Sequence, residues 1–171
     1  MLHSLQSSFY KEVFLKKFIS PEHLQETALS LKKQGKTLVT LNGSFDLLHA
    51  GHLEMIYQAS KQGDVLFVAL NTDRSIQEYK SKHRPIIPLE ERMQMIAALQ
   101  MVAFVTYFDE IDPRAILAKI APDIHVNGSE YGENCIEAPV VQSLGGTVHV
   151  VSLIPGLSTS QILAKIREIP A

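Results

Sequence analysis

Short runs of β-branched and apolar residues alternate along this chain with longer stretches whose apolar residues recur three and four positions apart. The short runs predict strands and the longer stretches predict helices. The predicted strands are residues 38–41, 65–70, 102–107, 124–126 and 147–152. Strands separated by helices form βαβ units, and strands that are apolar on consecutive residues suit a parallel sheet covered on both faces. We therefore expect an α/β fold with a doubly wound, Rossmann-like parallel sheet of about five strands.

Two helical segments are expected before the first strand. Ser20 followed by Pro21 is typical of a helix start and Gly35 of a helix stop, so residues 21–34 are predicted to be helical. Residues 1–18 carry apolar side chains near helical spacing, which favours a further amphipathic helix that packs on the domain or dimerises. We expect an N-terminal helical segment over residues 1–35 and one globular domain over residues 36–171.

Composition excludes several classes of protein. With 171 residues, of which 46% are hydrophobic and 20% charged, the chain resembles an ordinary globular domain. Its formal net charge of -2 argues against a nucleic-acid-binding protein. The single cysteine, Cys135, cannot form an internal disulfide, and the longest apolar runs are far shorter than a membrane span. The N-terminus lacks a signal-peptide pattern, so we expect a cytoplasmic protein that binds neither membranes nor nucleic acid.

The segment from Leu41 to His52, with the sequence LNGSFDLLHAGH, leaves the first strand and enters a helix near Ala50. Ligands of open parallel sheets bind beyond the carboxyl ends of the strands, which is where this loop lies. His49 and His52 are three residues apart, a spacing that puts both side chains on one face of a first helical turn. Gly51 leaves room for a ligand to approach the backbone, and the helix start favours a phosphate.

Three explanations compete for the histidine pair: a satisfied surface pair, a metal site and a phosphate site. The residues could ligate a metal, but only Asp46 stands nearby as a third ligand, and a zinc site needs more. A phosphate site needs no further ligand. The surroundings of the pair therefore favour phosphate binding.

The pattern His49-Ala50-Gly51-His52 resembles the His-x-Gly-His motif of a nucleotidyltransferase superfamily. The resemblance continues in the Asn-Thr-Asp sequence at residues 71–73, in Arg84-Pro85, in the Glu-Arg pair at 91–92 and in Ser-Thr-Ser at 158–160. Taken together, these segments look most like the adenylyltransferase domain of the ADP-heptose synthases. The resemblance covers about residues 19–166, and the chain is too short to include the sugar kinase domain of those proteins.

The resemblance implies roles for particular residues. His49, His52 and Lys80 would be catalytic, stabilising charge on the phosphates. Contacts to the substrate would come from Asp46, Asn71, Asp73 and Arg84. Contacts to the nucleotide would come from Asn42, Gly43, Ser44, Phe45, Gly51, His52, Arg92, Asn127, Ser158, Thr159 and Ser160. The resemblance also implies ATP as a substrate, Mg²⁺ held mainly by the triphosphate, a sugar phosphate as acceptor and a homodimer.

Several of these residues have a second explanation. The hydroxyls of residues 158–160 either cap the last helix or bind phosphate. Asn71 and Asp73 either form a common turn or contact a substrate. Either Lys80 or Lys82 could be the phosphate-binding lysine of a mobile basic loop. Arg92 either reaches the ligand or pairs with a neighbouring acid.

Two positions depart from the ADP-heptose synthase pattern. Asn127 begins the sequence NGSEY where those enzymes typically have a lysine, and Ser44 stands where they often have a cysteine. Replacing a cation with an amide weakens the hold on an anion, so the identity of the acceptor is affected more than the transfer chemistry.

We expect an adenylyltransferase that makes ADP-heptose from ATP and heptose 1-phosphate. The alternatives are CTP as donor, another acceptor such as glycerol 3-phosphate or phosphoethanolamine, or a non-catalytic nucleotide-binding module. A redox role is disfavoured because no Gly-x-Gly-x-x-Gly motif follows a strand.

Overall fold

The computed structural model describes residues 11–152 and 156–170 and contains helices and strands in alternation. The strands are β1 (Leu38–Gly43), β2 (Val65–Asn71), β3 (Phe104–Phe108), β4 (Ile124–Gly128) and β5 (Thr147–Val151). The helices are α1 (Leu24–Lys33), α2 (Ala50–Ser60), α3 (Asp73–Tyr79), α4 (Leu89–Ala97), α5 (Arg114–Ile120), α6 (Ala138–Ser143) and α7 (Thr159–Arg167).

The strands form one parallel sheet in the order β3-β2-β1-β4-β5. Strand order therefore reverses between β1 and β4, where Leu41 pairs with Val126. In doubly wound sheets, the crevice at such a reversal is where ligands bind. The predicted five-stranded parallel fold is confirmed, and its topology marks the carboxyl ends of β1 and β4 as the place to look for a site.

Apolar side chains cover both faces of the sheet, which is why β2 is buried at every position. On one face, Leu66, Val68 and Leu70 belong to a core cluster with residues of α2 and α4. On the other face, alternate β2 residues such as Phe67 and Ala69 join residues of α1 and α5. Alternation along the strand divides the core into these two layers, as period-two side-chain geometry requires.

The helices are short, and two of them were not predicted. Helix α1 begins at Leu24 rather than at Pro21, because residues 21–23 form a turn, and the chain leaves it through Gly35 with a φ of +74°. Helices α3 and α6 contain only 7 and 6 residues and lack the close apolar set, Ile116, Leu117 and Ile120, that marked the equally short α5. No helix in the described ranges is long and apolar enough to span a membrane.

The N-terminal segment packs on the sheet where the structure describes it. Residues 11–17 are helical, and Phe14 and Phe18 pack against the α2 and α4 side of the core. The amide of Ile19 donates to the carbonyl of Val105 at 3.0 Å, which ties this segment to β3. Residues 1–10 of the expected amphipathic helix lie outside the described residues. The division at residue 35 stays a prediction.

Gly146 should be essential to the turn between α6 and β5. A Cβ there would lie 2.3 Å from the carbonyl oxygen of Pro122, whereas Gly145 faces open space but has a φ of +85°. We predict that Gly146→Ala lowers the free energy of unfolding by about 3 kcal/mol through overpacking. Gly145→Ala should cost only about 1 kcal/mol, from its left-handed backbone. Urea unfolding checks this prediction, and equal losses in the two variants would contradict it.

Candidate active site

A cleft of about 330 Å³ lies at the reversal of strand order, beyond the carboxyl ends of β1 and β4. Its lining residues come from the β1–α2 loop, the start of α2, the segment after α3, the end of β4 and the start of α7. They are Asn42, Gly43, Ser44, Phe45, His49, Gly51, His52, Met55, Lys80, Arg84, Asn127, Gly128, Glu130, Tyr131, Leu157, Ser158, Thr159 and Ser160. The structure therefore brings together most of the residues that the sequence assigned to catalysis and nucleotide binding.

The two histidines stack on each other at the start of α2. Their ring centroids are 3.8 Å apart, with 21° between the ring planes. His49 is the N-cap residue and has an extended backbone, so the helix begins at Ala50, as expected. A methyl group at Gly51 would lie 3.0 Å from two atoms of the His49 ring. A side chain at residue 51 would therefore crowd the His49 ring, a contact that the sequence did not reveal.

Both imidazoles are held in the neutral form. Burial, followed by the nearby His49 and Lys80, lowers the pKa of His52 to about 4. Burial also lowers the pKa of His49. The Nδ1 atoms of both rings are buried without a hydrogen-bond partner in the described part of the chain. At neutral pH the pair therefore offers hydrogen bonds from uncharged rings rather than positive charge.

Lys80 supplies a cation at the cleft. It is the C-cap residue of α3, and its Nζ donates to Ser44 Oγ at 2.9 Å. Burial and the neighbouring Arg84 lower the pKa of Lys80. Lys82 is exposed and does not line the cleft. Of the two candidate lysines, geometry favours Lys80.

The start of α7 forms another wall of the cleft. Ser158 is the N-cap, and its hydroxyl accepts a hydrogen bond from the amide of Gln161 at 3.3 Å. Thr159 donates through its hydroxyl to the carbonyl of Asp46 at 2.8 Å. Ser158 therefore caps the helix, and the hydrogen bond from Thr159 links the helix to the β1–α2 loop. All three hydroxyl residues line the cleft, so the start of α7, where helix amides lack intrahelical partners, borders the site.

Asp46 does not line the cleft, contrary to its assignment as a substrate contact. Its carboxylate is fully buried and accepts hydrogen bonds from the amides of Ile86 and Ile87 and from Arg84 Nε, the last at 2.6 Å. Burial alone raises the pKa of Asp46, but these donors together lower it below its usual value. Arg84 lines the cleft while paired with this carboxylate. Asp46 therefore holds residues 84–87 in place.

Arg92, predicted to bind the nucleotide, is also internal. The side chain is fully buried and donates to the carbonyls of Ile87, Ser44 and Asn71, and it pairs with Asp73 Oδ1 at 2.7 Å. The alternative of pairing with a neighbouring acid is the one that the structure shows. The carboxylate of Asp73 is partly exposed, so the buried guanidinium is stabilised by the three carbonyls as well as by this ion pair.

Asn71 and Asp73, predicted to bind the substrate, lie outside the cleft lining. Asn71 is buried, and its Nδ2 donates to Ser75 Oγ at 3.0 Å. Asp73 begins α3 and is held by Arg92. The predicted location of these two residues, at the carboxyl edge of the sheet, agrees with the structure. Their side chains, however, stabilise the β2–α3 turn.

Sequence reasoning missed a buried acid beside the cleft. Glu137, the residue before α6, is 6% exposed, and its two carboxylate oxygens accept from Asn42 Nδ2 at 3.4 Å and Asn127 Nδ2 at 3.3 Å. His125, on β4, is fully buried, and its Nδ1 lies 2.9 Å from Thr40 Oγ1. No local motif marks Glu137, because its partners lie 10 and 95 positions away in the sequence.

Charged groups of both signs line the cleft. Lys80, Arg84 and the starts of α2 and α7 bring positive charge and donors, and Glu130, which follows β4, is close enough to Lys80 for the two charges to interact. No group of three or more metal-ligating side chains occurs within residues 11–152 and 156–170. This arrangement suits an anionic ligand bound by amides, neutral imidazoles and one lysine.

The neutral state of His52 can be tested by titration. We predict that its imidazole protons in NMR spectra shift with a midpoint near pH 4, because burial disfavours the charged ring. The unfolded chain binds the proton near pH 6.5, so the stability contributed by His52 is complete above pH 6.5 and is lost as the pH falls toward 4. In His52→Asn, unfolding free energy should depend less steeply on pH in this window. A midpoint near 6.5 in the native protein would contradict the prediction.

Residues 40–167 match the family model described as cytidylyltransferase-like. The curated relatives include the bifunctional protein HldE of Syntrophotalea carbinolica, 38% identical over 148 residues that cover 86% of this chain and 30% of that protein. HldE of Klebsiella pneumoniae is 39% identical over 151 residues, covering 88% of this chain and 32% of that protein. The chain thus spans about a third of the length of the curated relatives it matches.

Two solved structures share the fold. A lipopolysaccharide core biosynthesis protein from Thermoplasma volcanium is 28% identical, with a TM-score of 0.57 over 70% of this chain and 98% of that one. A pantoate-beta-alanine ligase from Francisella tularensis is 16% identical, with a TM-score of 0.58 over 90% of this chain and 78% of that one, a likeness of fold alone. The family match includes the strands, the stacked histidines and the start of α7, and on that basis the chain belongs to the cytidylyltransferase-like family of nucleotidyltransferases.

Proposed function

We propose that this protein transfers AMP from ATP to D-glycero-β-D-manno-heptose 1-phosphate, releasing pyrophosphate and forming ADP-heptose for lipopolysaccharide core synthesis. The observation that carries the proposal is the stacked pair of neutral histidines, His49 and His52, in one cleft with Lys80 and the start of α7. These are the groups that a triphosphate and its developing charge require.

In the proposed reaction, a phosphate oxygen of the acceptor attacks the α-phosphorus of ATP. The bond from the α-phosphorus to the oxygen bridging it to the β-phosphorus breaks, and that oxygen leaves with pyrophosphate. No covalent enzyme intermediate is needed, so catalysis depends on alignment and on stabilising charge at the phosphate oxygens. Hydrogen bonds from His49 and His52 would stabilise the α-phosphate, and Lys80 and the amides of α7 would bind the leaving phosphates.

The choice of acceptor rests on resemblance. The LNGSFDLLHAGH segment and the sequence around Arg84 look like those of the ADP-heptose synthases, and the HldE proteins are 38% and 39% identical to this chain. The Thermoplasma structure is described as a lipopolysaccharide core biosynthesis protein. These likenesses support a sugar phosphate as acceptor, and the proposal concerns this transfer step alone.

Magnesium enters the proposal as part of the nucleotide substrate. The carboxylate of Asp46 is already occupied by Arg84 and two amides, which leaves Glu130 as the acid on the cleft lining. The donor set of the described residues therefore does not fit a resident metal site, and Mg²⁺ would be held mainly by the triphosphate. The proposal places the reaction in the cytoplasm, and the homodimer stays a prediction.

A matrix of substrates tests the proposal. ATP and CTP are each combined with heptose 1-phosphate, glycerol 3-phosphate and phosphoethanolamine in the presence of Mg²⁺, and pyrophosphate release is measured. We expect release with ATP and heptose 1-phosphate. His49→Ala and His52→Ala should each lower kcat about a hundredfold or more, as loss of one preorganised donor does.

Each alternative outcome of the matrix has a distinct meaning. Release with another pair would replace the substrates and retain the transfer chemistry. Nucleotide binding without release for any pair would favour a non-catalytic binding module. Full activity in either histidine variant, with circular dichroism unchanged, would remove the proposed mechanism.

The two lysines provide a matched pair of variants. Lys80 lines the cleft and bonds to Ser44, while Lys82 is exposed and two residues farther along the chain. We predict that Lys80→Ala raises the KM for ATP and lowers kcat, together reducing kcat/KM about a hundredfold, because a charged donor to phosphate is lost. Lys82→Ala removes the same charge from the same segment and should change kcat/KM less than about threefold. Equal effects of the two substitutions would show that only the general charge of the segment matters.

A further inference from the structure

A buried carboxylate links the ends of the two strands that form the floor of the cleft. Leu41 pairs with Val126, so Asn42 and Asn127 are the next residues of β1 and β4, on either side of the reversal in strand order. One oxygen of Glu137 accepts from Asn42 Nδ2 at 3.4 Å and the other from Asn127 Nδ2 at 3.3 Å. Glu137 therefore bridges the two amides from outside the sheet.

This bridge sets the direction of both amide groups. A carboxylate accepts hydrogen bonds and does not donate them, so it draws the NH₂ group of each asparagine toward itself and turns each carbonyl oxygen away. Both asparagines line the cleft. Asn42 Oδ1 is buried and has no hydrogen-bond partner among the described residues. Because Asn42 Oδ1 is shielded from the cleft, Asn42 serves the bridge, and the amide oxygen of Asn127 is the acceptor that a ligand in the cleft can reach.

Two acidic side chains lie beside the two amides and disfavour a phosphate in this part of the cleft. Glu137 lies behind the asparagines, and Glu130 lines the cleft just after β4. His125 does not neutralise Glu137, because burial lowers the pKa of its imidazole and leaves the ring uncharged at neutral pH. Anions are therefore directed to the histidines, Lys80 and α7, and the asparagine end suits an uncharged group that donates hydrogen bonds.

Within the proposed nucleotide-transfer function, on which this inference rests, we propose that Glu137 is a positioning residue for the nucleoside: together with Asn42 it fixes the amide of Asn127 so that its oxygen accepts a hydrogen bond from an amino or hydroxyl group of the nucleotide. The place of the pair supports the nucleoside as the occupant, because nucleotides bind at the strand-order crevice of doubly wound sheets. The donors that a nucleoside offers are the exocyclic amino group of adenine or cytosine and the ribose hydroxyls. A base with a carbonyl group at the same position would set one acceptor against another and be disfavoured.

The test measures binding without an acceptor and so does not depend on turnover. Isothermal titration calorimetry with the full chain compares ATP with inosine triphosphate, which replaces the 6-amino group by a carbonyl, and with 2′-deoxy-ATP, which lacks one hydroxyl. The variant is Glu137→Gln, whose side chain can accept from only one of the two amides. Glu133→Gln is the matched control, since Glu133 is exposed and its substitution makes the same change of charge four residues away.

We expect Glu137→Gln to weaken ATP binding about tenfold and to reduce the preference for ATP over one of the two analogues, while Glu133→Gln retains both. The analogue whose disadvantage shrinks identifies the recognised group as the base amino group or the ribose hydroxyl. Unchanged ATP affinity and unchanged preferences in a folded Glu137→Gln protein would overturn the proposal. So would a native protein that binds all three nucleotides equally.

A second variant tests the proposal even if Glu137→Gln fails to fold. Asn127→Leu removes one amide oxygen and leaves Glu137 in place, and it should produce the same loss of ATP preference. A purely structural role for Glu137 would lower the unfolding midpoint without altering the ratio of ATP to analogue affinities. If the native protein binds ATP selectively but forms no ADP-heptose, the proposed function fails and the role of Glu137 stands.

Discussion

The buried carboxylate of Asp46 is the interaction on which the cleft depends. It accepts from the amides of Ile86 and Ile87 and from Arg84, while its own carbonyl accepts from Thr159 at the start of α7. One residue therefore joins the β1–α2 loop to a segment that follows α3 and to the last helix. A charge without access to water is stable only when donors surround it, and satisfying it forces these distant parts of the chain together. The cleft is the space left between them.

The charged groups of the cleft determine how a ligand can be oriented in it. Burial keeps His49 and His52 uncharged in the free protein, so the positive field comes from Lys80, Arg84 and the helix starts. Glu130 lies at the end formed by β4, with Glu137 buried behind the two asparagines. A ligand with a charged and a neutral half, as a nucleotide has, is favoured in the orientation that puts its phosphates against the positive groups. Orientation of this kind is the main requirement of a transfer reaction that proceeds without a covalent intermediate.

The fold was predicted well from the sequence, and the candidate site was predicted in part. Consecutive apolar residues in β2 indicated a strand buried on both faces, and the structure confirms it. The His-x-Gly-His segment placed His49 and His52 at a helix start because strand, loop and helix there are adjacent in sequence. Arg92 was assigned to the nucleotide, yet it is fully buried. Whether an arginine on a helix faces a ligand or the interior depends on neighbours such as Ser44, far away along the chain.

The sequence by itself determined the parallel sheet, the location of the β1–α2 loop with its two histidines and the family resemblance, since each depends on residues close together in the chain. Only the tertiary structure decided which polar residues face the cleft. It placed Asp46, Asn71 and Arg92 in the framework and brought Glu137 between Asn42 and Asn127. The physical reason is that a buried polar group must find a hydrogen-bond partner, and that partner is chosen by packing across the sheet rather than by spacing along the chain.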